Sequence, residues 1–124
     1  MKVLLDTHVV LWWVRDDRRL NAAAREAIAS ADVAWVSAAT ACEVAIKQSQ
    51  GRLRISESLR VTMSTDEFTE LPVTARQAEE LALLPFHHTD PFDRILIAQA
   101  RAEGATIVTH DRAFAKYGVP VIWT

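Results

Sequence analysis

Four acidic residues stand where a carboxylate has more chemistry to offer than structure: Asp6, Glu43, Asp93 and Asp111. Asp6 ends the apolar run Val3-Leu4-Leu5, and Asp111 lies two residues beyond the β-type run from Ala105 to Thr109. Glu43 sits among Ala39, Ala41, Cys42, Val44, Ala45 and Ile46, in a helix apolar nearly all round and therefore expected to be buried. A carboxylate there is costly unless it is paired or bound to a cation. Asp93 shares a helical stripe with Ile97 and Ala100, which tilts it toward the interior. Brought together, four carboxylates cannot all stay ionised unaided, so the cluster implies bound protons or bound cations. An all-oxygen donor set favours Mg²⁺ or Mn²⁺ over zinc or copper. The chemistry that follows is metal-assisted hydrolysis of a phosphodiester.

Each acid also has an ordinary structural role open to it. Asp90 can cap the helix that begins at Pro91, and Asp93 can complete a capping box or complement the helix dipole. Glu43 and Lys47 form an i,i+4 pair in the favoured orientation. Asp111 can cap the short segment after it. Asp6, ending an apolar strand at a tight junction, has the least structural purpose. Among the histidines, His8 and His110 each neighbour a candidate acid and read as structural or supporting groups, while His87 and His88 read as loop residues. Adjacent Trp12 and Trp13 cannot face the same way, so one serves the core and the other is expected at a subunit interface, with core packing of both as the alternative.

The elements that must position these groups alternate. Val3 to Leu5 is a strand that feeds a helix from Thr7 to Val14. Asn21 caps a helix from Ala22 to Ser30, and Val33 to Val36 is a second strand. Ser37 caps a helix that runs to about Gln50 and stops at Gly51. Ser56 or Glu57 starts a short helix to about Met63, Phe68 to Val73 is a strand, and Thr74 caps a helix ended by Pro85. Asp90-Pro91 opens the last long helix and Gly104 closes it. The strand to Thr109, a short helical piece from Asp111 to Lys116 and an extended run from Val119 to Trp123 complete the chain. Such alternation predicts an α/β fold, a parallel sheet with helices on both faces. Ligands of such sheets bind outside the carboxyl ends of the strands, where strand order reverses. All four acids fall on that edge.

Composition narrows the class. A chain of 124 residues, 50% apolar, supports one core and one domain, residues 1–124. Its formal net charge of -2 gives no broad electrostatic footprint for nucleic acid, so any phosphate contact must be local or assisted by a cation. Arg94, Arg112, Lys47 and the Arg52/Arg54 pair are the candidates for it. The single cysteine, Cys42, excludes an internal disulfide and a thiolate metal site, and suggests a reducing, cytoplasmic setting. The apolar segment from Val9 to Val14 is far too short for a membrane span.

The chain resembles the PIN-domain family, and within it the VapC toxins of bacterial toxin-antitoxin pairs. The likeness is carried by Leu4-Leu5-Asp6-Thr7-His8 with Leu11-Trp12-Trp13, by Val36-Ser37 with Glu43-Val44-Ala45, by Asp90-Pro91-Phe92-Asp93-Arg94 through Ala100, and by Val108-Thr109-His110-Asp111. The resemblance implies a metal-dependent endoribonuclease acting on RNA, built as a three-layer αβα sandwich around a four- or five-stranded parallel sheet. It further implies a homodimer or a toxin-antitoxin hetero-oligomer in which a cognate antitoxin masks the acidic pocket. Residue by residue, Asp6, Glu43, Asp93 and Asp111 match the family's acidic quartet. Thr7, Ser37 and Thr109 match its smaller polar companions, and Asp90 is a further supporting acid.

Three other readings compete. A phosphoacceptor receiver domain also places acids at the carboxyl edge of a five-stranded sheet, but needs a lysine near the last strand, and Val119 to Thr124 has none. A phosphohydrolase with an aspartyl nucleophile would carry Asp-x-Asp after the first strand, where this chain has His8. A catalytically silent PIN-like module that only binds RNA or protein would keep the fold without metal-dependent cleavage.

Overall fold

The computed structural model describes all of residues 1–124. Five strands, β1 (Lys2–Leu5), β2 (Val33–Ser37), β3 (Thr69–Leu71), β4 (Thr106–Thr109) and β5 (Val121–Trp123), form one sheet in the order β3-β2-β1-β4-β5. Every neighbouring pair is parallel, with Leu4 opposite Trp35 and Ile107, and Leu5 opposite Val108. The chain therefore winds outward from β1 in one direction and from β4 in the other. The crevice between the carboxyl ends of β1 and β4 is the topological switch point. A receiver domain has the order 2-1-3-4-5, so this sheet excludes that reading.

The helices are α1 (Thr7–Val14), α2 (Ala22–Ser30), α3 (Ala38–Ser49), α4 (Leu59–Thr65), α5 (Ala75–Leu83) and α6 (Pro91–Glu103), with a 3₁₀ segment at Arg112–Tyr117. Strand alternation splits the core in two. Val3, Leu5, Val36 and Val108 pack with Val9, Ala24, Ile28 and Met63 on one face, whereas Leu4 and Ile107 pack with Leu96, Ile97, Phe114 and Tyr117 on the other. This is the expected three-layer sandwich, and both faces of the sheet read as apolar because both are covered. Four start signals work as the sequence suggests: Asn21 accepts from the Ala24 amide, Ser37 from Ala39, Asp90 from Phe92 and Asp93, and Thr74 forms a full capping box with Gln77. Gly104 ends α6 at φ +66°, a left-handed conformation that glycine adopts without steric cost.

Four expectations need correction. The short fourth helix begins at Leu59 rather than at Ser56 or Glu57, and its cap residue Ser58 makes no side-chain bond. The third strand is only Thr69–Leu71, since Pro72 has no amide to donate to a ladder. Helix α3 is not buried all round: it packs on α1, α6 and β2 through Ala39, Thr40, Glu43 and Val44, while Cys42, Ala45 and Ile46 face outward. It sits at the sheet's carboxyl edge, where no further layer covers its outer side. Trp13 lies edge-on to Phe68 at 5.4 Å within this chain, instead of standing free for a partner, and Trp12 is 5% exposed.

Candidate metal centre at the sheet switch point

Asp6 leaves β1 with its amide still bonded to the Val108 carbonyl (3.0 Å), so its position is fixed by the sheet itself. It occupies the N-cap position of α1, yet its carboxylate makes no capping bond. Instead Oδ2 accepts from Thr109 Oγ1 at 2.7 Å, and that hydroxyl oxygen in turn accepts from the Asp111 amide at 3.1 Å. One threonine at the end of β4 thus ties two of the acids together. Glu43 is buried and held on both sides: Thr7 Oγ1 donates to Oε1 at 2.8 Å and Lys47 Nζ to Oε2 at 2.9 Å, with Thr40 Oγ1 beside Thr7 at 3.1 Å. The capping and ion-pair roles foreseen for Asp90, Asp111 and Glu43 are real, since Asp111 Oδ1 accepts from Ala113 at 2.9 Å. Asp93 likewise lies in the first turn of α6, where an acid complements the helix dipole, whereas no such role absorbs Asp6.

The acids sit close enough to govern one another. Burial pushes the Asp93 carboxyl up to about 8, and the charges of Asp6, Asp90, Asp111 and Glu43 push in the same direction. Burial also raises Asp6; the Thr109 hydrogen bond and the imidazoles of His8 and His110 oppose this, and Glu43 adds to it. Two neighbouring acids that resist ionisation mark a place where positive charge is missing.

His88, which read as a loop residue, stands against Asp93. The Tyr117 hydroxyl oxygen accepts from Arg94 Nη1 (3.2 Å) and from the His88 amide (3.3 Å), so its own proton goes to His88 Nδ1 at 2.7 Å. In the neutral ring the proton then sits on Nε2, which is buried without a hydrogen-bond partner and faces Asp93 Oδ2 at 3.4 Å. Arg94, one of the candidates for phosphate contact, is turned inward. It is 7% exposed, bonded to the Pro85 carbonyl (2.8 Å) and stacked 4.2 Å from the Phe86 ring centroid. Ser37 turns away from the acids: its hydroxyl donates to Gln99 Oε1 at 2.6 Å, linking α3 to α6.

Beside the acids lies a cleft of about 300 Å³ lined by His8, Leu11, Trp12, Leu53 and the cations Arg15, Arg19, Lys47 and Arg52. Lys47 and Arg52 were among the residues proposed from sequence; Arg15 and Arg19 were not, because nothing in their local pattern distinguishes them from ordinary surface charge. Arg54 points its carbonyl at Arg15, and Arg112 lies exposed over the Trp123 ring at 4.3 Å.

Buried acids at a switch point suit many phosphate-handling folds, and comparison with known proteins decides among them. The model of the PIN domain family matches residues 3–120. The chain belongs to the PIN-domain family. This PIN domain is 31% identical over 121 residues to ribonuclease VapC22 of Mycobacterium tuberculosis, covering 95% of this chain and 93% of that protein. Its fold matches a chain of DNA-bound VapBC from Salmonella typhimurium with a TM-score of 0.73 at 17% identity, covering 98% of this chain and 97% of that one. It matches equally well a chain of VapBC2 from Rickettsia felis bound to a promoter DNA fragment, TM-score 0.72 at 15% identity, over 98% of both chains. A third match is a toxin-antitoxin complex from Klebsiella pneumoniae, TM-score 0.64 at 22% identity, covering 97% and 95% of the two chains. No helix is long and apolar enough to cross a membrane.

Proposed function

We infer that this PIN domain is a VapC-type ribonuclease, the toxin of a toxin-antitoxin pair, which cleaves RNA with Mg²⁺ or Mn²⁺ held by its acids. The observation that carries the reading is the burial of Asp6 and Asp93 at the switch point, which holds both back from ionising, with the charge of Asp6 adding to the effect on Asp93. A divalent cation fits that pair because it supplies the missing charge and both residues offer it carboxylate oxygens. Asp6 and Asp93 would hold it directly, while Glu43 and Asp111, whose oxygens are partly committed to Thr7, Lys47 and Ala113, complete the acidic wall. When bound, the ion activates water and offsets charge developing on the scissile phosphate. Thr109 fixes the rotamer of Asp6, and the Arg94–Tyr117–His88 chain turns His88 Nε2 toward Asp93.

Charge complementarity extends the reading to the substrate. The cleft cations Arg15, Arg19, Lys47 and Arg52 would track phosphates toward the acids, which explains how a domain of net charge -2 engages RNA. A cognate antitoxin is the natural partner, on the strength of the toxin-antitoxin complexes that this fold matches. Self-association is part of the same reading, supported by the exposed Leu83 and Phe86 (68% and 83%) beside an apolar groove between α5 and α6.

The test is Asp6→Asn, which keeps shape and removes charge. Purified Asp6→Asn protein is expected to fold as the parent does by circular dichroism and to lose Mg²⁺-dependent RNA cleavage and growth toxicity. Cleavage retained by that protein would remove the acids from the mechanism.

A further inference from the structure

Two histidines face the candidate metal centre, and neither is among the acids that would hold its cation. His8 and His110 place their ring nitrogens, together with a carboxylate oxygen of Asp6, so that all three atoms lie within 4.8 Å of one another. His8 is the second residue of α1 and His110 follows β4 directly, so the switch point that positions Asp6 positions both rings. We propose that Asp6, His8 and His110 form a second cation subsite, one that takes a borderline transition-metal dication of the Zn²⁺ or Co²⁺ type and stands at the mouth of the acidic site.

The geometry is that of a site waiting to contract. Ligand atoms around a tetrahedral zinc, at about 2.0–2.2 Å from the ion, are about 3.3–3.6 Å apart. Closing the present spread to that range requires ring movements of about an ångström. Both rings are exposed and turn about their own side-chain bonds, so this needs no change in the backbone. Their approach is also guided: Trp12, buried beneath them, lies 4.7 Å from the His110 ring and 6.2 Å from His8, and the two imidazoles already meet edge to face at 5.3 Å. Three protein ligands leave a fourth position for water, the arrangement of a zinc site that remains reactive.

Ligand type sets the selectivity. Mg²⁺ prefers oxygen, whereas imidazole nitrogen favours Zn²⁺, Co²⁺ and Ni²⁺. The carboxylates Asp93 and Glu43 and the histidine pair therefore select different ions at adjoining places, with Asp6 common to both. This inference uses the proposed metal centre only for its shared ligand, and it makes a prediction that does not depend on RNA cleavage.

The experiment is a titration of untagged, chelator-treated full-length protein with Co²⁺, followed by visible absorption, and with Zn²⁺ and Mg²⁺, followed by calorimetry. His8→Ala with His110→Ala is compared with the parent and with His87→Ala, which removes a histidine elsewhere. The double variant should lose at least about tenfold in Zn²⁺ affinity together with the Co²⁺ absorption bands, with its Mg²⁺ affinity unchanged. His87→Ala should behave as the parent. Equal Zn²⁺ affinity in parent and double variant, no Zn²⁺ binding to the parent, or parallel loss of Mg²⁺ binding would each overturn the subsite. If the histidine-dependent Zn²⁺ binding holds while RNA is not cleaved, the subsite stands and the ribonuclease reading falls. If RNA is cleaved with Mg²⁺ and Zn²⁺ binding ignores the histidines, the reverse follows.

Discussion

Removing the charge of Asp93 should flatten the pH dependence of this protein's stability in the absence of metal. The Asp93 carboxyl titrates near 3.8 in the unfolded chain and near 8 in the folded one. Below about pH 4 both states are protonated and the group is neutral in its effect. Between about 4 and 8 the folded chain holds a proton that the unfolded chain has released, so each rise in pH favours unfolding, and the loss is complete once the folded carboxyl ionises near 8. Each pH unit in that window is worth about 1.4 kcal/mol at full strength, or about 4 kcal/mol between pH 5 and pH 8. The side chain keeps 17% exposure, and screening by the water that reaches it reduces this to about 2 kcal/mol. The assay is urea unfolding of chelator-treated protein at pH 5 and pH 9, for the parent and for Asp93→Asn. The parent should lose about 2 kcal/mol more than the variant over that interval, and the variant controls for the four histidines and for Asp6. Mg²⁺ at about a hundred times its dissociation constant should return about 2.7 kcal/mol to the parent at pH 9 and much less to Asp93→Asn. Identical pH slopes for the two proteins would refute the account of how Asp93 is held.

Other perturbations separate structure from chemistry. Arg94→Met should destabilise the fold by about 3 kcal/mol, measured by urea unfolding, because it leaves the Pro85 carbonyl and the Tyr117 hydroxyl short of a buried donor; a change below about 0.5 kcal/mol would return Arg94 to the list of surface cations. Nitrogen-15 NMR of the imidazoles should find His88 protonated at Nε2 in its neutral form, and a proton on Nδ1 would break the Arg94–Tyr117–His88 chain. Replacing Arg15, Arg19 and Arg52 by alanine in the Asp6→Asn background should lower the salt slope of single-stranded RNA binding by about 2 (about 0.7 per phosphate contact). An unaltered slope would place the RNA elsewhere.

The sequence by itself determined the order of elements and the edge on which the acids lie. Apolar strands, helix caps at Asn21, Ser37, Thr74 and Asp90, and the stop at Gly104 are local signals, and local chemistry writes them directly into the residue order. Asp6 was legible for the same reason, because a carboxylate ending a buried strand has no local purpose. What only the tertiary structure decided is which groups face one another across long separations in the chain. Arg94 stands beside an acid in sequence, yet its side chain runs inward to Tyr117, so its charge serves packing. Arg15 and Arg19 are exposed residues, and only the packing of α1 against the loop after α3 brings them alongside Lys47 and Arg52. Helix α3 is apolar nearly all round, and only the place it takes at the sheet edge determines which side stays wet. His8 and His110 are 102 positions apart, and the pairing of β1 with β4 is what makes them neighbours of Asp6. Periodicity and caps act over one or two turns of chain, whereas parallel pairing joins the ends of strands that the sequence keeps far apart, and the site is built at those ends.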